Sequence, residues 1–340
     1  MSERDIFRTY WLSSRAILFL YEDLHCDLDP LANHHHAFPD LTKLLGALHI
    51  FATGSFQTHV SVIAGIIQAS FSRHLAQVLK AMMKRMRKYI MHPTDPVELQ
   101  QIRSGFMGIA EMPNVLGAID CTHIVFIPRS EEESSVQNRK HFHSMNVQVI
   151  CDAHLWILNV VAKYPGSCHD TYILAHSSMG THFPEGKRGY GCKPWLLTPL
   201  QSPQTAAKKH YNEAHVSTRN MIERTFGVLK GRFRCLDHSG GALQYSAEKM
   251  ANIIVACCML HNICQLFGVD AERAPPWYPP ARNQVLQQNS KLIHSLEVQE
   301  GMAVQAVTIL YDLRHGQREI IELLRAMAGA LSSIPAHHGM

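Results

Sequence analysis

The apolar residues of this chain change their spacing near residue 92, and that switch excludes any single repeating architecture. Before it the spacing is helical. Leu44, Leu45, Leu48 and Phe51 predict a helix over 41–51. Thr53-Gly54-Ser55 then supplies a breaker and a cap, with Gly54 as the stop and Ser55 as the next N-cap. A short helix from Phe56 to Ala64 would end at Gly65, and a third would run from about Gln68 to Tyr89. Its apolar stripe is Phe71, Leu75, Val78, Leu79, Met82 and Met86, and its polar face carries Ser72, Arg73, Gln77, Lys80, Lys84, Arg87 and Lys88. Ile67 stands where a capping Ser or Thr would start that helix, and Ser70 is the next residue able to do so. Helix, glycine turn and basic helix is a helix-turn-helix layout, which plain helical bundles share.

His92-Pro93-Thr94-Asp95-Pro96 reads as a linker, and beyond it β-branched runs predict strands at Val115–Ile119, Ile124–Ile127, Val147–Cys151 and Leu155–Val161. Helical spacing returns at Glu213–Phe233 and Ala247–Leu266. A proline-rich stretch, Ala274–Pro280, precedes an amphipathic segment at Ala303–Leu331. The expected fold class is mixed α/β. The expected division is an N-terminal extension over 1–40, a helix-turn-helix region over 41–92, a core over 112–265 and a helical C-terminal tail over 266–340.

Composition narrows the function classes. The 340 residues, 46% hydrophobic, can fill a large core and exclude a disordered chain. No uninterrupted apolar run approaches the length of a bilayer span, so no membrane segment is expected. The charged N-terminus argues against a secretory signal. Nine cysteines without a CxxC pair fit reduced thiols. The net charge of +4 conceals a partition: residues 41–92 hold seven basic groups and no acidic one, and residues 201–264 carry a further +4. Such a segment attracts a phosphate backbone, or is simply a solvated helix face.

Four carboxylates stand where chemistry could use them. Asp120 closes the apolar run Leu116–Ile119, where desolvating a carboxylate is costly unless it is paired. Asp152 lies between two strands and has an ordinary turn role. Asp170 follows Pro165-Gly166-Ser167-Cys168-His169. Glu223 shares a helix face with Arg219 and Lys230, and an i,i+4 surface pair with Arg219 is its plain structural explanation. Together Asp120, Asp170 and Glu223 are the residue types a metal-dependent phosphoryl-transfer site needs, because Mg²⁺ and Mn²⁺ prefer carboxylate oxygens. Other groups have bland and functional readings side by side. His34-His35-His36 is an incidental run or a metal site, and His141 and His143 are surface groups or phosphate contacts. Arg232 and Arg234 are candidates for DNA backbone contact, and Thr122 and His123 for orienting Asp120. Cys257, Cys258 and Cys264 read as core thiols.

Seven stretches in fixed order carry a family resemblance: 52–75, 112–124 (MPNVLGAIDCTHI), 138–152 (NRKHFHSMNVQVICD), 164–170 (YPGSCHD), 193–200 (KPWLLTPL), 211–236 and 256–264 (ACCMLHNIC). In these the chain resembles nucleases derived from Harbinger-type transposases. The resemblance implies an RNase H-like catalytic core, a divalent cation (Mg²⁺ or Mn²⁺) and a DDE-type site cutting DNA phosphodiester bonds. Asp120 matches the first Asp, Asp170 the Asp of the His-Asp motif and Glu223 the terminal Glu. It matches the helix-turn-helix region to 41–90, where the polar face of the basic helix makes Ser72, Arg73, Lys80 and Lys84 the candidate DNA contacts. It also implies a nuclear location, with the cytoplasm open, and a Myb-like DNA-binding partner protein; homo-oligomerisation stays open.

The chain departs from that pattern at one place. The family's second triad Asp falls in a segment that here reads Gly186-Lys187-Arg188-Gly189-Tyr190, so Lys187 stands where a carboxylate belongs. An ammonium in a cation site repels the ion. The alternative expectation is therefore a catalytically inactive, domesticated protein that binds DNA or a partner.

Overall fold

A computed structural model describes residues 2–28, 39–128, 142–177, 196–237 and 242–268. The chain divides between Lys84 and Arg85 into two compact units.

The first unit is helical. It contains α1 (Glu3–Tyr10), α2 (Ser14–Leu28), α3 (Asp40–Thr53), α4 (Gln57–Ile63) and α5 (Gln68–Lys84). The segment expected as a mere extension supplies two of these helices. A capping box starts α1: Ser2 accepts from the Asp5 amide, and Asp5 accepts from the Ser2 amide. The apolar side of α2, including Ile17, Leu18, Leu20 and Leu24, is buried with Leu44, Leu48 and Phe51 of α3 and Phe71, Leu75 and Val78 of α5 in the core. Gly54 ends α3 with φ 71°, the left-handed stop its position predicts. Ser55 does not cap α4; the cap position is Phe56, which makes no side-chain bond, while Thr53 donates to the Ser55 hydroxyl. Nor does Ser70 cap α5, because its hydroxyl accepts from Arg73. The predicted third helix is interrupted at Arg85, and α6 (Met86–Tyr89) follows in the second unit.

The charge surplus of 41–92 is partly spent internally. Lys43 is buried and donates to the Leu28 carbonyl at 2.6 Å and to Asp40 at 3.1 Å, satisfying the open end of α2. Lys84 pairs with Asp27. Arg73 and Lys80 remain exposed, and Ser72 is half-buried.

The second unit is mixed α/β. After α6 come α7 (Pro96–Ala110), β1 (Ala118–Ile127), β2 (Ser144–Cys151), β3 (Ile157–Pro165), α8 (Asp170–Ala175), α9 (Ala206–Arg232), a 3₁₀ turn (Arg234–Leu236), β4 (Leu243–Gln244) and α10 (Ala247–Leu266). The expected linker is instead a helix start: Asp95 accepts from the Val97 and Glu98 amides, and Pro96 occupies the first helical position. The sheet order is β3-β2-β1-β4, with β1, β2 and β3 antiparallel and β4 parallel to β1.

Helix α10 is long and apolar enough to cross a bilayer by composition, yet most of it is buried inside the protein. Cys257, Cys258 and Cys264 are core thiols as expected. Asn262 is fully buried: it accepts from the Ile157 amide at 2.9 Å and donates to the Ile157 and Tyr89 carbonyls, each at 2.8 Å. That one side chain ties β3 and α6 to α10. Arg232 is not a DNA contact. It is buried against His261 Nδ1 at 3.1 Å, and His261 Nε2 lies 2.8 Å from the Leu155 carbonyl. Burial, with Arg232 beside it, holds the His261 pKa down to about 3, so the ring is neutral and accepts from Arg232.

Candidate active site

Strand β1 is one continuous element, and Asp120 lies inside it, two residues from its start, not at its end. The register decides which side of the sheet each residue faces. Asp120 pairs with Val149, Thr122 with Val147 and Ala118 with Cys151; Cys121 pairs with Gln148 and His123 with Asn146. Paired residues share a face and neighbours alternate. Asp120 and Thr122 therefore lie on one face and Cys121, Asn146 and Gln148 on the other.

Helix α9 covers the Asp120 face. Arg219 Nη2 donates to Asp120 Oδ2 at 2.7 Å, and Lys230 Nζ donates to Thr122 Oγ1 at 2.8 Å and the His123 carbonyl at 3.2 Å. The remaining Asp120 oxygen accepts from the Cys121 amide at 2.9 Å. Burial pulls the Lys230 pKa down from its ordinary value. Arg219 Nε lies 4.0 Å from Glu223 Oε1, the i,i+4 pair that sequence spacing predicts. The same guanidinium thus stands between Asp120 and Glu223, residues from a strand and a helix 103 positions apart.

The N-terminal end of α9 is fixed by a separate clasp. Asn212 accepts from the Leu200 amide at 2.8 Å and donates to the Leu200 carbonyl at 2.9 Å, and Tyr211 donates to the Thr198 carbonyl at 3.1 Å. These contacts join the segment 197–200 to the start of α9.

Asp170 sits against the opposite face. Asn146 Nδ2 donates to Asp170 Oδ1 at 2.8 Å and to the Cys168 carbonyl at 2.9 Å. The Cys121 thiol lies on this face near Asp170, and burial together with the Asp170 and Asp120 charges pushes that thiol up. Both amide atoms of the buried Gln148 and the Oδ1 of Asn146 lack hydrogen-bond partners on this face. The structure therefore brings Asp120 and Glu223 to one cation and holds Asp170 across the strand, near the Cys121 thiol. Asp152 has the turn role expected of it, accepting from the His154 amide at 2.8 Å and the Trp156 amide at 2.9 Å. His123 Nδ1 lies 3.1 Å from the Ser144 hydroxyl, and His143 is half-buried. Lys187, His34 to His36 and His141 lie outside the described residues.

Sequence reasoning missed Arg219 as a link to Asp120, because its i,i+4 partner already accounts for it. It also missed Asn146, whose signal is the alternation of polar Ser144, Asn146 and Gln148 with the apolar residues of β2.

A family model for the DDE superfamily endonucleases matches residues 119–262, which hold Asp120, Asp170, Glu223 and all of the sheet but Ala118. The human protein named "Putative nuclease HARBI1" is 37% identical over 284 residues, covering 81% of each chain, and the mouse protein of that name is 39% identical with the same coverage. The chain belongs to the Harbinger-derived DDE nuclease family. A more distant relative of this family's sequence is the Arabidopsis thaliana "Protein ALP1-like", 29% identical over 64% of this chain and 58% of its own length. No solved structure matches the chain. DDE superfamily endonucleases generally use divalent metals, and the donor chemistry of Asp120 and Glu223 fits one: hard carboxylate oxygens around a cation that is here a guanidinium. Among the described residues no group of three His, Cys, Asp or Glu converges to hold a metal.

Proposed function

We propose that this chain is a divalent-metal-dependent endonuclease that cuts DNA phosphodiester bonds. The observation that carries the reading is the pairing of Asp120 and Glu223 through one cation on β1 and α9, inside the segment matched by the family model. Asp120 and Glu223 would hold a Mg²⁺ or Mn²⁺ ion. When bound, such an ion supplies Lewis-acid stabilisation of charge on a phosphoryl oxygen and lowers the pKa of a bound water. Asp170, the third acidic residue of the set, is held by Asn146 of β2 on the face opposite Asp120, near the Cys121 thiol. Lys230 fixes α9 on β1 through Thr122, on the same helix that carries Arg219 and Glu223. The sheet order β3-β2-β1-β4, with β4 parallel to β1, supports an RNase H-like core.

Residues 41–92 supply a helix-turn-helix that receives duplex DNA on α5, through Ser72, Arg73, Lys80 and Lys84. The exposure of Arg73 and Lys80 supports this, and Lys84 would exchange Asp27 for phosphate. A nuclear location and a Myb-like partner protein belong to the same reading. A second reading, a catalytically inactive DNA- or partner-binding protein, is favoured by Lys187 in the place of the family's second Asp.

The test is nicking of supercoiled plasmid by the full chain with Mg²⁺ or Mn²⁺. Cleavage that disappears in Asp120→Ala and Glu223→Gln is the expected result. If the wild type cuts no more than Asp120→Ala, while binding DNA with an affinity that falls steeply with salt, the inactive reading replaces it.

A further inference from the structure

We infer that Arg219 is a resident counter-ion of this site, which a divalent cation must displace from Asp120 in order to bind. The inference rests on the reading of Asp120 and Glu223 as the cation-holding pair, and concerns how that pair is regulated.

Both oxygens of Asp120 are committed to protein donors. Oδ1 takes the Cys121 amide, and Oδ2 takes Arg219 at 2.7 Å. The first donor is a backbone amide, fixed in place by the strand. The guanidinium can leave: Arg219 is about half exposed at 49%, on a helix face open to solvent, whereas Asp120 at 23% is fixed in the sheet. Its Nε lies 4.0 Å from Glu223, so it also lowers the negative potential of the second carboxylate. Lys230, the other cation aimed at β1 from α9, is engaged by Thr122 and the His123 carbonyl, so it does not share this role.

A guanidinium and a metal ion drawn to the same carboxylate repel each other at close range, so they compete for Asp120. Apparent metal affinity is then reduced by the fraction of molecules in which Arg219 holds Asp120. A phosphodiester is the natural alternative partner of a displaced guanidinium, because it offers the paired oxygens that an Arg fork binds. Arg219 thereby couples the arrival of a phosphate backbone to the opening of the cation-holding pair.

The test is Mn²⁺ titration of the full chain in the absence of DNA, with free Mn²⁺ read by its electron paramagnetic resonance signal. Arg219→Gln should bind Mn²⁺ about 3- to 10-fold tighter than wild type, the range expected from losing one or two part-exposed ion pairs. Arg219→Lys, which retains the charge, should stay near wild type. The gain should vanish in the double variant Asp120→Asn/Arg219→Gln, and it should shrink as ionic strength rises. Thermal melts of each variant verify folding. Equal or weaker binding by Arg219→Gln, a gain that survives in the double variant, or no Mn²⁺ binding by any of these proteins overturns the inference. Failure of the nuclease reading shows separately, as tighter Mn²⁺ binding by Arg219→Gln without plasmid cleavage by the wild type.

Discussion

Replacing Asn262 by Leu should destabilise the α/β unit severely although it preserves side-chain volume. Asn262 is fully buried in α10, and its amide satisfies three backbone groups: the Ile157 N–H, the Ile157 carbonyl and the Tyr89 carbonyl. Leucine can satisfy none of them. A buried backbone group left unpaired costs about 1–3 kcal/mol. The β3 amide has no second donor site to compensate with, whereas each carbonyl keeps a second lone pair, so the lower half of the range suits the carbonyls. The expected loss is about 3–7 kcal/mol, a large share of the ~5–15 kcal/mol that a domain typically has. Urea unfolding followed by tryptophan fluorescence measures it, since Trp156 is buried and adjoins Ile157. Asn262→Ala should lose at least as much, because it adds a cavity to the same three orphans. If Asn262→Leu lies within about 0.5 kcal/mol of wild type, Asn262 is a packing residue and the reasoning fails.

Asp152→Ala should cost about 2 kcal/mol in the same titration by stranding the His154 and Trp156 amides, and Asp152→Asn, which keeps an oxygen acceptor, should cost less. Gly117→Ala places a Cβ 2.7 Å from Ile150 Cγ2 and should lose about 1–3 kcal/mol, whereas Gly108→Ala, which meets nothing within 4 Å inside α7, should gain about 0.5–1 kcal/mol; the reverse order would refute the packing described. His261 has a folded pKa of about 3 against an ordinary 6.5, so the unfolded chain binds the extra proton. Its contribution is fully present above pH 6.5 and is lost as pH falls toward 3, at up to about 1.4 kcal/mol per pH unit. His261→Gln should flatten that part of the stability profile between pH 6 and 4, and parallel profiles would refute it.

Legibility followed the strength of local patterning. Helix α10 is readable end to end because its apolar run is long and Ser246 caps it. Helices α3 and α5 are readable from their stripes and from Gly54. Helix α7 escaped because Pro93 and Pro96 suggest a linker, although Asp95, Pro96 and Glu98 are helix-start residues. Strand β1 looked like two short runs because Asp120, Thr122 and His123 interrupt its apolar residues. Those polar positions persist inside a strand because Arg219, Lys230 and the Ser144 hydroxyl meet them. Arg232 looked like a surface cation because nothing near it in sequence shows that His261, 29 residues later, accepts from it in the core.

The sequence by itself determined which carboxylates are candidates for the site and the local geometry between Arg219 and Glu223, since one helical turn enforces an i,i+4 neighbour. It determined, too, that Asp152 would close a turn. Tertiary structure alone decided that Asp120 reaches the same guanidinium from a strand 99 residues away. It also decided that Asp170 lies across β1 from Asp120. The reason is parity: in a paired sheet the register assigns Asn146 and Cys121 to one face and Asp120 to the other. Register depends on which strands pair and which helix covers them, and no local pattern of residues carries that information.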